Sequence, residues 1–244
     1  MTTTVPAPAA ATSERRFFTG MAIALLAVVF VGFARSFYLK AAFPDWPAPP
    51  ERFFALHGTV FSAWIALLVA QASLVAARRV DVHRKLGAAG VGLAIAMVVV
   101  GVWGALLAAK RATGFVGVPI PPLQFLAIPL FDMAMFPVFV ALAIAWRGEP
   151  QKHKRAMVLA TIGLTTAAIA RWPVVGGLGP MAFFGLTDLL IVPLILWDRR
   201  TLGRIHPVTM WGGIAIVVSQ PLRLIVSGTD AWLAFARWAT GFVG

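Results

Sequence analysis

Seven apolar runs divide the chain, at residues 17–39, 53–77, 86–109, 123–146, 156–172, 181–197 and 207–226. Each is about 17–25 residues, the length a helix needs to cross a hydrocarbon core of roughly 30 Å. Only helices satisfy every backbone group within such a run. The cationic residues interrupt these runs unevenly. Thirteen of the 21 Lys and Arg fall in alternate gaps: Arg15 and Arg16, then Arg78, Arg79, Arg84 and Lys85, then Arg147, Lys152, Lys154 and Arg155, then Arg199, Arg200 and Arg204. The other gaps hold only Lys40, Arg52, Lys110 and Arg111, with Arg237 in the tail. Short Lys/Arg-rich loops stay on the cytoplasmic side. The pattern therefore predicts an all-α membrane protein of seven transmembrane helices, N-in/C-out, with a short C-terminal interfacial helix.

Three regions follow from this pattern. Residues 1–16, rich in Thr, Ala and Pro, are expected to form a disordered cytoplasmic tail. Residues 17–226 form the seven-helix transmembrane domain. In 227–244, Trp232, Phe235, Ala239 and Phe242 share one helical face, which predicts an outer interfacial helix with that face in the lipid. The third run carries small residues at i, i+4 (Gly90 and Ala94, Gly92 and Ala96), so it is expected to pack centrally. The loops opposite the basic ones are stiffened by proline: Pro44, Pro47, Pro49 and Pro50, then Pro119, Pro121 and Pro122. A basic turn followed by His83, His153 or His206 recurs before three of the helices, a loose echo that the common basic character of cytoplasmic turns also explains.

Composition agrees with a bilayer partner: 60% hydrophobic, 12% charged, mean hydropathy +0.86. The net charge of +12 sits in short turns and not on one helical face or a long arm, which excludes nucleic acid as a partner. There is no cysteine, hence no disulfide, thiolate metal site or cysteine nucleophile.

Ionisable groups within apolar helices cost on the order of 2.5–3.5 kcal/mol each, so each calls for a partner or a purpose. Arg35, His57, Asp132, Arg171, Asp188 and Arg223 all fall in the outer half of their runs, and no charged residue is expected in an inner half. Such groups can converge on one outward-facing polar pocket. His57, Trp64 and Gln71 stand at i, i+7 and i+14 of the second helix, on one face. Gln220 lies one turn before Arg223, and Tyr38 one turn after Arg35. The ligand-binding candidates are thus Arg35, Tyr38, His57, Trp64, Asp132, Arg171, Asp188, Gln220 and Arg223. Pro129 and Pro137 flank Asp132, so this carboxylate is expected to line a hydrated cavity. The other arrangement satisfying the same groups pairs the aspartates with arginines as buried ion pairs, the remaining arginines reaching to headgroups. Three arginines against two aspartates favour a small anionic or quinone-like ligand.

Other chemistries find less support. Quinone and haem are the cofactor candidates, but only His57 among the four histidines lies inside a run, which leaves at most a single-His haem. The topology resembles that of the membrane ceramidase and progestin-receptor superfamily. Its zinc motifs are missing, however, because Phe61 follows His57 and Met210 follows His206 at the fourth position. His83, His153 and His206 share the basic side among Arg84, Lys85, Lys152, Lys154, Arg155 and Arg204, which repel a metal cation. No run contains a lysine for a Schiff base, and no phosphate-binding glycine loop or nucleophile elbow occurs. Accessory subunit of a larger respiratory or photosynthetic complex, homo-oligomer and small transporter are the remaining readings.

The stretch Gly32-Phe33-Ala34-Arg35-Ser36-Phe37-Tyr38-Leu39-Lys40, followed by His57-Gly58, Phe61, Trp64, Gln71, Arg78, His83, Arg84, Leu86 and Gly87, resembles a family of uncharacterised bacterial integral membrane proteins. The likeness covers about residues 30–90. It implies a bacterial inner (plasma) membrane location and a characteristic pairing of the Arg35–Tyr38 group with His57, Trp64 and Gln71. It implies no activity.

Overall fold

Proline and small capping groups decide where the helices begin and end. The computed structural model describes residues 8–243, with side chains from residue 11. The helices are α1 (Pro8–Phe33), α2 (Phe53–Ala76), α3 (Val80–Lys110), α4 (Pro122–Phe125), α5 (Ala127–Ala145), α6 (Pro150–Ile169), α7 (Pro180–Leu189), α8 (Val192–Leu202), α9 (Pro207–Ser227) and α10 (Asp230–Thr240). Proline occupies the first turn of α4, α6, α7, α8 and α9, where its missing N–H costs nothing. Gly203 ends α8 at φ 68°, a left-handed stop natural to glycine. His206 and Thr229 cap α9 and α10 by accepting from the backbone N–H of Val208 and Trp232. Among the described residues there is no strand.

Six helical stretches are long and apolar enough to cross a membrane: Ala11–Tyr38, Phe53–Ala76, Val80–Lys110, Pro122–Ala145, Pro180–Leu202 and Pro207–Ser227. The first ends in a π-helical turn, Ala34–Tyr38. The fifth is broken at Leu190 and Ile191, ahead of Pro193, where the ring cannot continue the helical hydrogen bonding. The helix missing from this set is α6. Its first turns carry Lys152, His153, Lys154 and Arg155, and its middle carries Thr161, Thr165 and Thr166.

That polarity is tolerable because α6 is the centre of the bundle. It packs against α1, α5, α7 and α9, and its buried residues run from Arg155 to Ile169. The threonine hydroxyls donate to carbonyls of their own helix, at Met157, Ile162 and Gly163. Gly32 of α1 allows the closest approach: a Cβ there would stand 2.3 Å from the carbonyl oxygen of Ala168. Central packing belongs to α6, while α3 packs only its Gly90 and Ala94 side, where a Cβ on Gly90 would stand 3.0 Å from Leu67. In α3, Val91, Ile95, Val99 and Trp103 are exposed along one face, and a Cβ on Gly92 would meet nothing.

Both ends of the chain differ from expectation. Helix α1 already begins at Pro8, so residues 8–16 are helical, while residues 1–7 lie outside the described residues. In α10, Ala236, Ala239 and Val243 pack on Ala105, Leu106 and Leu126, and Trp232 Nε1 donates to the carbonyl of Leu123 at 2.8 Å. The outward face is Phe235, Trp238 and Phe242, so the expected apolar face is rotated, with Ala239 turned inside.

Candidate functional site

The groups expected to converge in the outer half separate into small, self-contained contacts. Arg223 of α9 is buried, and its Nη1 donates to Asp132 Oδ1 of α5 at 2.6 Å. The rest of the guanidinium donates to Ser219 Oγ, to the Ser219 carbonyl and to the carbonyl of Ile128. The rings of Phe131 and Phe184 flank it at 5.6 and 5.4 Å. One turn earlier, Gln220 Nε2 donates to Asp188 Oδ1 of α7 at 2.8 Å. Helix α9 thus ties α5 and α7 through two consecutive polar rungs. The space left beside Asp132, Gln220 and Arg223 is about 10 Å3, the size of one water. The Asp132–Arg223 ion pair occupies the position expected for a hydrated cavity.

The remaining candidates make contacts of their own, although His57 Nδ1 is buried with no hydrogen-bond partner among the described residues. Arg35 lies over Trp46 at 4.6 Å and Phe43 at 5.8 Å, in a loop that Lys40 gathers by donating to the carbonyls of Phe43, Pro44 and Trp46. Tyr38 Oη and Ser62 Oγ are 2.8 Å apart. Arg171 donates to the carbonyl of Ala167 and covers Phe33. His57 stacks on Phe61 at 4.2 Å, beside Gly104. Trp64 Nε1 donates to Thr161 Oγ1 of α6, edge-on to Phe136. Arg35, Tyr38, His57 and Arg171 therefore do not join the Asp132–Arg223 cluster through any of these contacts.

A cavity of about 260 Å3 lies instead toward the basic end, between α1, α2, α3, α5 and α6. Its depth follows the α2 wall from Trp64 to Val75, about 16 Å at 1.5 Å per residue. Phe18, Leu68, Val140 and Val158 make its walls apolar. Gln71, His83 and His153 break that apolar lining, together with the charged Glu14, Arg15 and Lys154. The two imidazoles stand with centroids 6.2 Å apart and planes nearly perpendicular. Gln71 Oε1 and His83 Nδ1 are buried with no hydrogen-bond partner among the described residues. Of the expected ligand-binding residues, Trp64 borders this cavity.

Charged groups also border the cavity: Glu14, Lys154, and Arg15, which donates to Thr12 Oγ1 at 3.2 Å. Glu14 of α1 forms an ion pair with Lys154 and accepts from Gln151 Nε2 at 2.9 Å. Arg155 and Asp198 are fully buried, with Nε and Nη2 donating to Oδ1 at 2.9 and 2.5 Å. Arg155 Nη1 donates to the carbonyl and Oε1 of Gln151, and Asp198 Oδ2 accepts the backbone N–H of His206 at 3.0 Å. This network links α1, α6, α8 and the start of α9. Buried charge was not expected in any inner half: Arg155 was assigned to a turn, and Asp198 lies one residue beyond the sixth run. Among the described residues no three His, Asp or Glu side chains gather to hold a metal ion. His206 is engaged as the α9 cap.

Neither a scan of protein-family models nor searches of curated proteins and of solved structures returned a match to this chain.

Proposed function

We propose that the chain is a seven-span bacterial inner-membrane protein, N-in/C-out, that binds a small one- or two-ring aromatic ligand of the quinone class in the cavity at its cytoplasmic end. The single observation that carries this reading is the 260 Å3 cavity, whose mostly apolar lining is broken by Gln71, His83 and His153 and by the charged Glu14, Arg15 and Lys154. Ligand sites combine apolar walls with a few placed polar groups and usually measure roughly 300–1,000 Å3. The volume here suits one or two fused rings and is too small for a porphyrin. Lys154 is already neutralised by Glu14, and Arg15 is turned to Thr12 of its own helix, so little cationic charge is left for an anionic ligand. The proposed pocket thus lies at the basic end and not in the outer half. The seventh span is α6, whose 20 residues reach about 30 Å and whose polar side chains are covered by its neighbours.

Calorimetric titration of 1-naphthol and 1,4-naphthoquinone into the detergent-purified chain tests the site. Gly87→Leu adds bulk where a Cβ would already stand 3.4 Å from Gln71 Nε2, and should weaken binding at least about tenfold without unfolding the protein. No binding of either probe to the wild type would refute the reading. The topology is tested separately, because the chain is free of cysteine. Single cysteines at Arg79, Lys152 and Arg200 should resist an impermeant maleimide in intact cells, and Ala48→Cys should label; labelling of the three basic turns would reverse the orientation.

A further inference from the structure

The nature of the polar contact in this cavity can be taken further, on the premise that the cavity is a ligand site. His153 Nδ1 lies 2.8 Å from the carbonyl oxygen of Ala143, at the last turn of α5. A carbonyl can only accept, so Nδ1 carries the proton and, in the neutral ring, Nε2 carries the lone pair. The backbone of α5 thereby sets the tautomer, as a hydrogen bond on one imidazole nitrogen sets the role of the other. His153 borders the cavity as an acceptor. Of the nearby cations, Arg15 donates to Thr12 Oγ1 of its own helix at 3.2 Å. Lys154 is held by Glu14, and Arg155 by Asp198 and Gln151.

We infer that the cavity selects its ligand by a hydroxyl that the ligand donates, taking a phenol or quinol in preference to the quinone or ether of the same ring. A ring hydroxyl placed at His153 Nε2 completes a hydrogen bond that the apolar wall cannot supply. Gln71 and His83 each add a polar atom without a partner at the same cavity, so a ligand with a second hydroxyl has further groups to meet. A quinone carbonyl brings only lone pairs. Set against the lone pair of Nε2, it leaves both unpaired after both have lost water. Sites that read a hydroxyl reject its absence more strongly than sites that read shape. The expected sign is therefore the reverse of that for a site built from donors: the reduced, protonated ring is the tighter ligand.

The test is calorimetry on the full chain in detergent at pH 8, well above the ordinary histidine value near 6.5, with three probes of one ring system. 1-Naphthol should bind about tenfold tighter than 1-methoxynaphthalene, which keeps the ring and loses the donor, and tighter than 1,4-naphthoquinone by a similar factor. In His153→Phe, shown to be folded by its thermal melt, the naphthol and its ether should bind within about twofold of each other. Equal binding of naphthol and ether by the wild type, or tighter binding of the quinone, overturns the hydroxyl preference while leaving the cavity as a site. A preference that survives in folded His153→Phe overturns the role of His153. Failure of all three probes to bind overturns the site itself. If His153→Phe does not fold, the wild-type comparison still decides the preference.

Discussion

The two polar regions of the bundle, one toward each end, are built on opposite rules. Toward the proline-loop end the groups are charged, and every one of them in the α5–α7–α9 cluster is paired: Asp132 with Arg223, Asp188 with Gln220. The result is closed, with room for a single water. Toward the basic end the cavity sets an amide and two imidazoles beside the Glu14–Lys154 ion pair and Arg15; Gln71 and His83 each keep an unpaired buried atom, and the space is some 26 times larger by the ratio of 260 to 10 Å3. Charges in apolar helices are so costly that the fold itself must satisfy them, which leaves them little to offer a guest. Neutral amides and imidazoles can be left partly unpaired at a smaller cost, and that residue of hydrogen-bonding capacity is what a ligand can use.

The sharpest way to break this comparison is at the closed end. Asp132→Asn leaves Arg223 buried without a counter-charge and should cost about 3–5 kcal/mol, read as a lower melting temperature in detergent. The fraction that remains folded should bind 1-naphthol as the wild type does. The double change Asp132→Leu with Arg223→Met should recover most of the loss, since it removes both charges together. A melt of Asp132→Asn equal to that of the wild type, with naphthol binding lost, would transfer the site to the outer half.

At the open end the balance reverses. Gln71→Leu removes a buried carbonyl oxygen that has no partner, so stability should stay within about 1 kcal/mol of the wild type or rise. Naphthol binding should fall severalfold. A loss of stability like that of Asp132→Asn would mean that Gln71 holds the bundle together and serves no guest.

The smallest effect belongs to a pair outside the spans. Arg111 donates to both oxygens of Glu51, at 2.9 and 2.8 Å, joining the two proline-bearing loops. The hydrogen bond to Arg111 holds the Glu51 carboxyl below its usual value of 4.5. A depressed folded value means the stabilisation is full above about pH 4.5 and fades as pH falls through the lower, folded value. Because Glu51 is more than a third exposed, the amount is only about 0.2–1 kcal/mol. Glu51→Gln should flatten that part of the acid melt; an unchanged acid limb would show that the pair contributes nothing measurable.

Apolar length and loop prolines made most of the helices legible in the sequence, because those features act within one segment. The site was not legible in the same way. His57, Trp64 and Gln71 share a face by heptad counting, but a helix drifts about 20° per heptad, so over two heptads the face turns by about 40°. His57 ends against Gly104, Trp64 against Thr161, and Gln71 in the cavity. His83 and His153 were set aside because cations crowd them in sequence. In space two of those cations, Lys154 and Arg155, are bound by Glu14 and Asp198, partners 140 and 43 positions away, and nothing local announces such pairings. The central place of α6 was hidden for the same reason: its threonines and basic first turn resemble a poor span until the helices that cover it are in place.

The buried Arg155 also constrains how the chain can be assembled. Its partner Asp198 is made 43 residues later. In the seven-span topology, α6 enters the bilayer before the ribosome has delivered the carboxylate that neutralises its arginine. Until α8 arrives, the guanidinium has only Gln151 of its own helix and the headgroup layer to hold it. The first turns of α6 must therefore wait near the cytoplasmic surface and sink to their final depth as α8 docks. In that topology the seating of α6 is completed by an electrostatic latch closed from the C-terminal side, with α9 still to follow.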